Sequence, residues 1–168
     1  MALIASSMAN FIISNIYQVT DATEANSKFY KALCDYVEAN AQVFYSWTAA
    51  LTSTPFTPDP MVIIQATIKT AGTLTPSGAN EPGSALSIFS ANLNANAATW
   101  MITWPPGFSL SPAFIIPTIN ITPSMATEQQ SAMIHVCQEI IDGIKKATPV
   151  ASGSHASFVG VASFTQIL

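Results

Sequence analysis

The first part of the chain places apolar residues at the three- and four-residue intervals of a helix. Residues 2–17 therefore predict a short amphipathic helix, with a strand over residues 11–19 as the alternative. The apolar face of this helix consists of Ile4, Met8, Phe11 and Ile12. A second helix is predicted to begin after Asp21, whose carboxylate can cap the amide of Glu24, and its apolar face continues to Leu51.

The middle of the chain has the patterns of loops and strands. Residues 52–60 contain three prolines, which cannot continue a helix, so they predict a stiff connector. Residues 61–69 alternate between apolar and polar side chains and give the clearest strand pattern in the chain. Residues 71–83, with three glycines and two prolines, predict an exposed loop.

The following segments return to helical spacing and then to extended structure. A helix is predicted from Ser84, and the alternation of Trp100, Ile102 and Trp104 predicts a short strand after it. Residues 114–122 are apolar and β-branched but contain a proline, so we expect an edge strand or an extended arm.

The last third of the chain predicts one more long helix and a terminal strand. The helix begins at Thr122 or Thr127, and its apolar face runs from Met133 to Ile144. Residues 150–153 are small and predict a linker, whereas residues 158–168 predict a strand without a charged side chain. We therefore expect a single α+β domain over residues 1–168, with two long amphipathic helices packed on a small, mostly antiparallel sheet.

Charge is scarce in this chain. Only 8% of its residues are charged, where a typical soluble domain has about 25%. There is no arginine and the net charge is −4, so we expect no direct contact with nucleic acid. No run of apolar residues is long enough to span a bilayer, and the first twenty residues lack the basic segment of a signal peptide, so we expect them to belong to the mature chain.

Three sets of side chains have the residue types of catalytic or metal sites. They are His135, Glu139 and Asp142; Ser154 with His155; and Asp35 with Glu38. Each is explained more simply as the polar face of a helix or as chance adjacency, because the chain has no motif of a hydrolase, a phosphate loop or a zinc site. We expect a protein that is not an enzyme, without catalytic residues, metal ligands, cofactor or small-molecule substrate.

Two further sets leave alternatives open. Cys34 and Cys137 both lie in apolar helical patterns, which favours two buried thiols over a disulfide formed in an oxidising compartment. Five aromatic residues can form either a plain core or a ligand pocket. They are Tyr30, Tyr45, Trp47, Trp100 and Trp104.

A surface of Ser, Thr, Asn and Ala in place of charges is typical of protein that is covered by other protein. We therefore expect an assembly subunit that forms homo-oligomers or joins other subunits. In this hypothesis the terminal strand adds to a neighbour's sheet through unpaired backbone groups. The predicted interface consists of Ile4, Met8, Phe11, Ile12, Asp59, Phe158, Val161, Phe164 and Leu168. The alternatives are a small-molecule or lipid-binding module with three tryptophans lining its pocket, and a secreted adhesion subunit with a Cys34–Cys137 disulfide.

The first seventy residues resemble small virion structural proteins of tailed bacteriophages, of the tail, neck or baseplate type. The resemblance lies in Asp21-Ala22-Thr23-Glu24-Ala25-Asn26, in Ala32-Leu33-Cys34-Asp35-Tyr36, and in Pro58-Asp59-Pro60 before a strand. It implies a non-enzymatic subunit that assembles in the host cytoplasm into a virion, with further copies of itself or other virion proteins as partners. No functional residue is carried over from the family.

Overall fold

The computed structural model of this chain describes residues 2–49, 62–70, 85–111, 114–148, 150–155 and 158–168. The helices in these ranges are α1 (Ala5–Ile16), α2 (Ala22–Asn40), α3 (Ala85–Ala97) and α4 (Gln129–Lys145). The strands are β1 (Val43–Ala49), β2 (Val62–Lys69), β3 (Met101–Thr103), β4 (Phe108–Leu110), β5 (Val150–His155) and β6 (Phe158–Ile167). The α+β class is confirmed, but the sheet is larger than predicted and two shorter helices accompany the two long ones.

The helix predicted after Asp21 begins there but ends early. The Asp21 carboxylate accepts a hydrogen bond from the amide of Glu24 at 2.8 Å, which caps α2. The prediction that this helix continues to Leu51 is wrong, because α2 ends at Asn40 and β1 follows. The residues of β1 fit a helical spacing and a two-residue alternation equally well, and their aromatic and β-branched side chains favour the strand.

The six strands form one antiparallel sheet in the order β3-β2-β1-β6-β5-β4. The predicted alternation in β2 is confirmed, because Ile64 and Ile68 are buried while Ile63 is exposed. Helices α2 and α4 contact this sheet, and α1 packs against both of them. One core therefore lies between the helices and the inner face of the sheet.

The terminal strand lies inside the sheet rather than at its edge. β6 pairs with β1 on one side and β5 on the other, and residues 160–163 have partners on both sides. The expectation that this strand offers unpaired backbone groups to a neighbour is therefore wrong. The edge strands are β3 and β4, with three residues each.

The predicted linker over residues 150–153 is also wrong, because these residues begin β5. Their small size reflects close packing. A Cβ atom at Gly153 would lie 2.8 Å from the Cα of Leu110, so β4 can pair with β5 only where this side chain is absent.

Residues 114–122 form the extended arm, the second of the two predicted alternatives, with no partner strand among the described residues. The side chain of Asn94 on α3 makes the backbone hydrogen bonds that a neighbouring strand would otherwise make. Its amide nitrogen donates to the carbonyl of Ile119 at 2.9 Å, and its oxygen accepts from the amide of Ile119 at 2.8 Å. Ile119 is thus buried with both backbone groups satisfied.

Candidate interaction surface

The predicted cluster on α4 comes together only in part. Glu139 accepts hydrogen bonds from the amide and the hydroxyl of Thr122 at 2.7 and 2.6 Å, and His135 Nε2 lies 3.2 Å from the carbonyl oxygen of Thr122. Asp142 instead accepts from Gln138 at 2.8 Å. The described residues include no group of three or more His, Cys, Asp and Glu that could hold a metal ion. The contacts of His135 and Glu139 with Thr122 therefore hold the arm against α4.

The two carboxylates on α2 also have structural partners. Asp35 accepts from the Lys31 ammonium group at 2.6 Å, and this hydrogen bond raises the pKa of Lys31. Glu38 accepts from the amide and the hydroxyl of Thr70 at 2.7 and 2.6 Å, which ties α2 to the end of β2. The two carboxylates thus serve different contacts and do not form an acid–base pair.

His155 is part of an aromatic stack. Its ring stacks on that of Phe108 with a centroid distance of 4.1 Å and an interplanar angle of 19°. The Trp47 ring is nearly perpendicular to it, with a centroid distance of 6.4 Å. Neither ring nitrogen has a hydrogen bond to Ser154 in the described part of the chain. The pair therefore lacks the geometry of a nucleophile and its base.

Cys34 and Cys137 are both buried, free thiols in the structure. Cys34 donates to the side-chain oxygen of Asn96 at 3.4 Å, which also accepts from the indole of Trp100 at 2.6 Å. Burial raises the pKa of the Cys137 thiol to about 12. Both thiols are thus held protonated inside the core, away from reagents in solvent.

The aromatic residues weighed as core or pocket are largely core. Tyr30, Tyr45, Trp47 and Trp100 are buried, and Trp104 packs on Tyr45 with a centroid distance of 4.6 Å. The hydroxyl of Tyr45 is buried and has no hydrogen-bond partner in the described ranges, and burial raises its pKa above the ordinary value.

The predicted interface residues do not share one surface. Met8 and Ile12 are fully buried in the core of the chain, and Phe164 packs on Tyr45. The side chains that remain exposed are Ile4, Phe11, Phe158, Val161 and Leu168. Asp59, with the rest of the connector, lies outside the described residues. The backbone of Leu168 pairs with that of Gln42.

The charges of the chain are concentrated on two helices. α2 and α4, with their capping residues, carry seven carboxylates and four ammonium groups. In the described strands Lys69 is the one charged residue. The helical side of the molecule is therefore acidic, and the sheet is nearly uncharged.

The outer face of the sheet points away from the core and is exposed or half-buried. It consists of Phe44, Ser46, Thr48, Ile63, Gln65, Thr67, Lys69, Met101, Thr103, Ser109, Val150, Ser152, Ser154, Val159, Val161, Ser163 and Gln166. An antiparallel sheet with one face in water normally carries charged residues there, whereas this face has hydroxyl, amide and apolar side chains. Among the predicted interface residues, Val161 is the one that lies on this face.

An apolar groove of about 440 Å³ opens between α2, α3 and α4. Its walls are formed by Phe29, Phe89, Ala132, Met133 and Val136, with the polar residues Ser124 and Gln129 also lining it. None of the predicted pocket tryptophans lines it. The sequence pattern places Phe29, Phe89, Met133 and Val136 on the apolar faces of their helices, and no signal in the sequence separates a groove wall from a core position.

No helix in the described ranges is long and apolar enough to cross a membrane. No protein-family model, curated protein or solved structure matches the chain. Inferences about function therefore depend on the composition and geometry of the surface itself.

Proposed function

We propose that this chain is a non-enzymatic structural subunit of a protein assembly. The observation that carries the proposal is the outer face of the sheet, which spans all six strands with Lys69 as its single charge. Covering hydroxyl and apolar side chains costs far less free energy than removing water from Lys or Glu. Such a face is therefore suited to permanent contact with other protein.

The assembly that fits best is a bacteriophage virion, with this chain as a tail, neck or baseplate component made in the host cytoplasm. Its support is the resemblance in residues 21–36 and 58–60, together with a composition of 8% charged residues. Its partners are further copies of itself or other virion proteins. Direct contact with nucleic acid is not expected, because the chain has no arginine and its charge is −4.

Three of the carboxylates in the described helices have structural roles, which supports the non-enzymatic part of the proposal. Glu139 and Glu38 each accept two hydrogen bonds from a threonine, and Asp35 pairs with Lys31. General acid–base catalysis needs such groups to converge on one reacting atom. These carboxylates point to separate structural partners.

The experiment is a mass determination by light scattering over a wide concentration series of the purified chain. We expect masses that are multiples of 17.8 kDa and increase with concentration to a dimer or a larger closed assembly. A compact monomer at every concentration would refute self-assembly and place the ligand-binding alternative first.

A small-molecule or lipid-binding module is the second candidate, and the apolar groove favours it. Its volume of about 440 Å³ lies in the range of small-molecule sites, about 300–1,000 Å³, and its walls suit an uncharged apolar chain. The test measures thermal unfolding with and without decanol. Binding in the groove predicts a higher midpoint for wild type and no increase for Ala132→Trp, which fills the groove. The matched control Ile115→Trp, on the exposed arm, should respond like wild type.

A further inference from the structure

The outer face of the sheet carries protruding apolar side chains on several strands. One row runs in register over four strands as Ile63, Ser46, Ser163 and Val150. The two serines in the middle are flanked by protruding apolar side chains, with Ile63 at 71% and Val150 at 61% exposure. Burial of these exposed apolar side chains against a second copy would be favourable, because it removes apolar surface from water.

The distribution of charge favours a second copy on this face. Two copies of an acidic chain repel each other most where their helices α2 and α4 meet, because the carboxylates lie there. Stacking sheet against sheet places these helices on opposite outer sides of the pair. The one charge on the face, Lys69, is at the end of β2, beside Met101 on the edge strand, and stays at the rim.

The size of the face is compatible with a dimer. With about 4.8 Å between strands and about 3.3 Å per residue, the sheet covers on the order of 600 Å² in projection. Two such faces bury on the order of 1,200 Å², which is the lower end of the range for stable, specific interfaces. The edge strands β3 and β4 have three residues each and offer little backbone for growth from edge to edge.

We propose that two copies of this chain stack the outer faces of their sheets against each other around a twofold axis. This inference rests on the proposed function and names the partner and the surface. Val161 lies on β6 between Thr48 and Ser152, near the centre of the face. Because the contact is isologous, Val161 of one copy faces the same central region of the other.

The experiment introduces opposite charges at this position in two preparations. Sedimentation measures the dimer dissociation constant for Val161→Lys, for Val161→Glu and for an equimolar mixture. Each variant alone should dimerise at least about 100-fold more weakly than wild type, since like charges meet in the contact, and the mixture should recover dimer. Ile115→Lys, on the arm outside the sheet, is the matched control and should match wild type.

Four results overturn the inference. A wild-type chain that is monomeric at all concentrations refutes it together with self-assembly. A wild type that assembles while Val161→Lys assembles equally well refutes this face but leaves the proposed function intact. Loss of dimer in both variants without recovery in the mixture excludes a like-with-like contact. If Val161→Lys fails to fold by circular dichroism, Ile63→Lys on β2 takes its place, and unchanged dimerisation of that variant refutes the inference.

Discussion

Removing one hydroxyl group should make this protein more stable. Tyr45 is fully buried, its hydroxyl has no hydrogen-bond partner among the described residues, and its ring packs against Trp104. A buried polar group without a partner costs about 1–3 kcal/mol. Tyr45→Phe removes that cost and leaves a void the size of one oxygen atom, so we expect a net gain of about 1 kcal/mol. For a chain of this length the gain corresponds to about 2–4 °C in Tm.

The control is the same substitution at a tyrosine whose hydroxyl is used. Tyr30 is also buried, but its hydroxyl donates to the carbonyl of Phe89 at 3.3 Å. Tyr30→Phe should therefore lower stability by about 0.5–1.5 kcal/mol. Urea unfolding followed by tryptophan fluorescence measures both variants against wild type. Equal losses in the two variants would show that the Tyr45 hydroxyl has a partner and would refute the reasoning.

Three further predictions concern the arm, the thiols and the sheet. Asn94→Ala leaves both backbone groups of buried Ile119 unpaired, so urea unfolding should show a loss of about 2–4 kcal/mol. Burial raises the pKa of Cys137 from 9.0 to about 12, so the contribution of this thiol to stability should be constant below pH 9.0 and be lost as pH rises toward about 12. Urea titrations of wild type and Cys137→Ala across this range measure the difference. The native chain should also show no thiol that reacts with a disulfide reagent, and the denatured, unreduced chain should show two. Gly160→Val should unfold at a much lower temperature, because its Cβ would overlap the carbonyl oxygen of Thr48 and disrupt the pairing of β6 with β1.

The sequence predicts those elements whose signal is local. The Asp21 cap, the alternation in β2 and the apolar stripe of α4 depend on neighbouring residues, and these elements form where expected. The boundary between α2 and β1 depends instead on pairing with β2 and β6, which are distant in sequence. The residues of β1 satisfy both periods, and tertiary contacts decide between them.

The position of β6 could not be predicted from its own residues. The lack of charge in the terminal strand is compatible with an exposed edge strand that pairs with another protein. It is equally compatible with a central strand that is paired on both sides. What distinguishes the two is β5, whose Ala, Gly and Ser residues have the composition of a linker. Gly153 and Gly160 are sites of close backbone approach, a role that only the assembled sheet reveals.

The sequence predicts that other protein covers part of the surface, but it does not predict which residues form that part. The low charge of the chain predicts that other protein covers much of it, and Val161 belongs to the face concerned. The other exposed members of the face follow from strand register, which pairs residues as distant as Ser46 and Ser163. The sequence pattern places Met8 and Ile12 at the interface because an amphipathic helix has the same apolar stripe whether it packs within the chain or against a partner.

Hydroxyl-radical footprinting of the dilute and the concentrated chain tests the central claim most directly, because it measures the solvent exposure of individual side chains. We predict that Ile63, Met101 and Val161 on the outer face become protected at high concentration. Met125 and Tyr17, which are exposed before α4 and after α1, should react equally at both concentrations. Protection at Met125 or Tyr17 with an unchanged outer face would contradict the account.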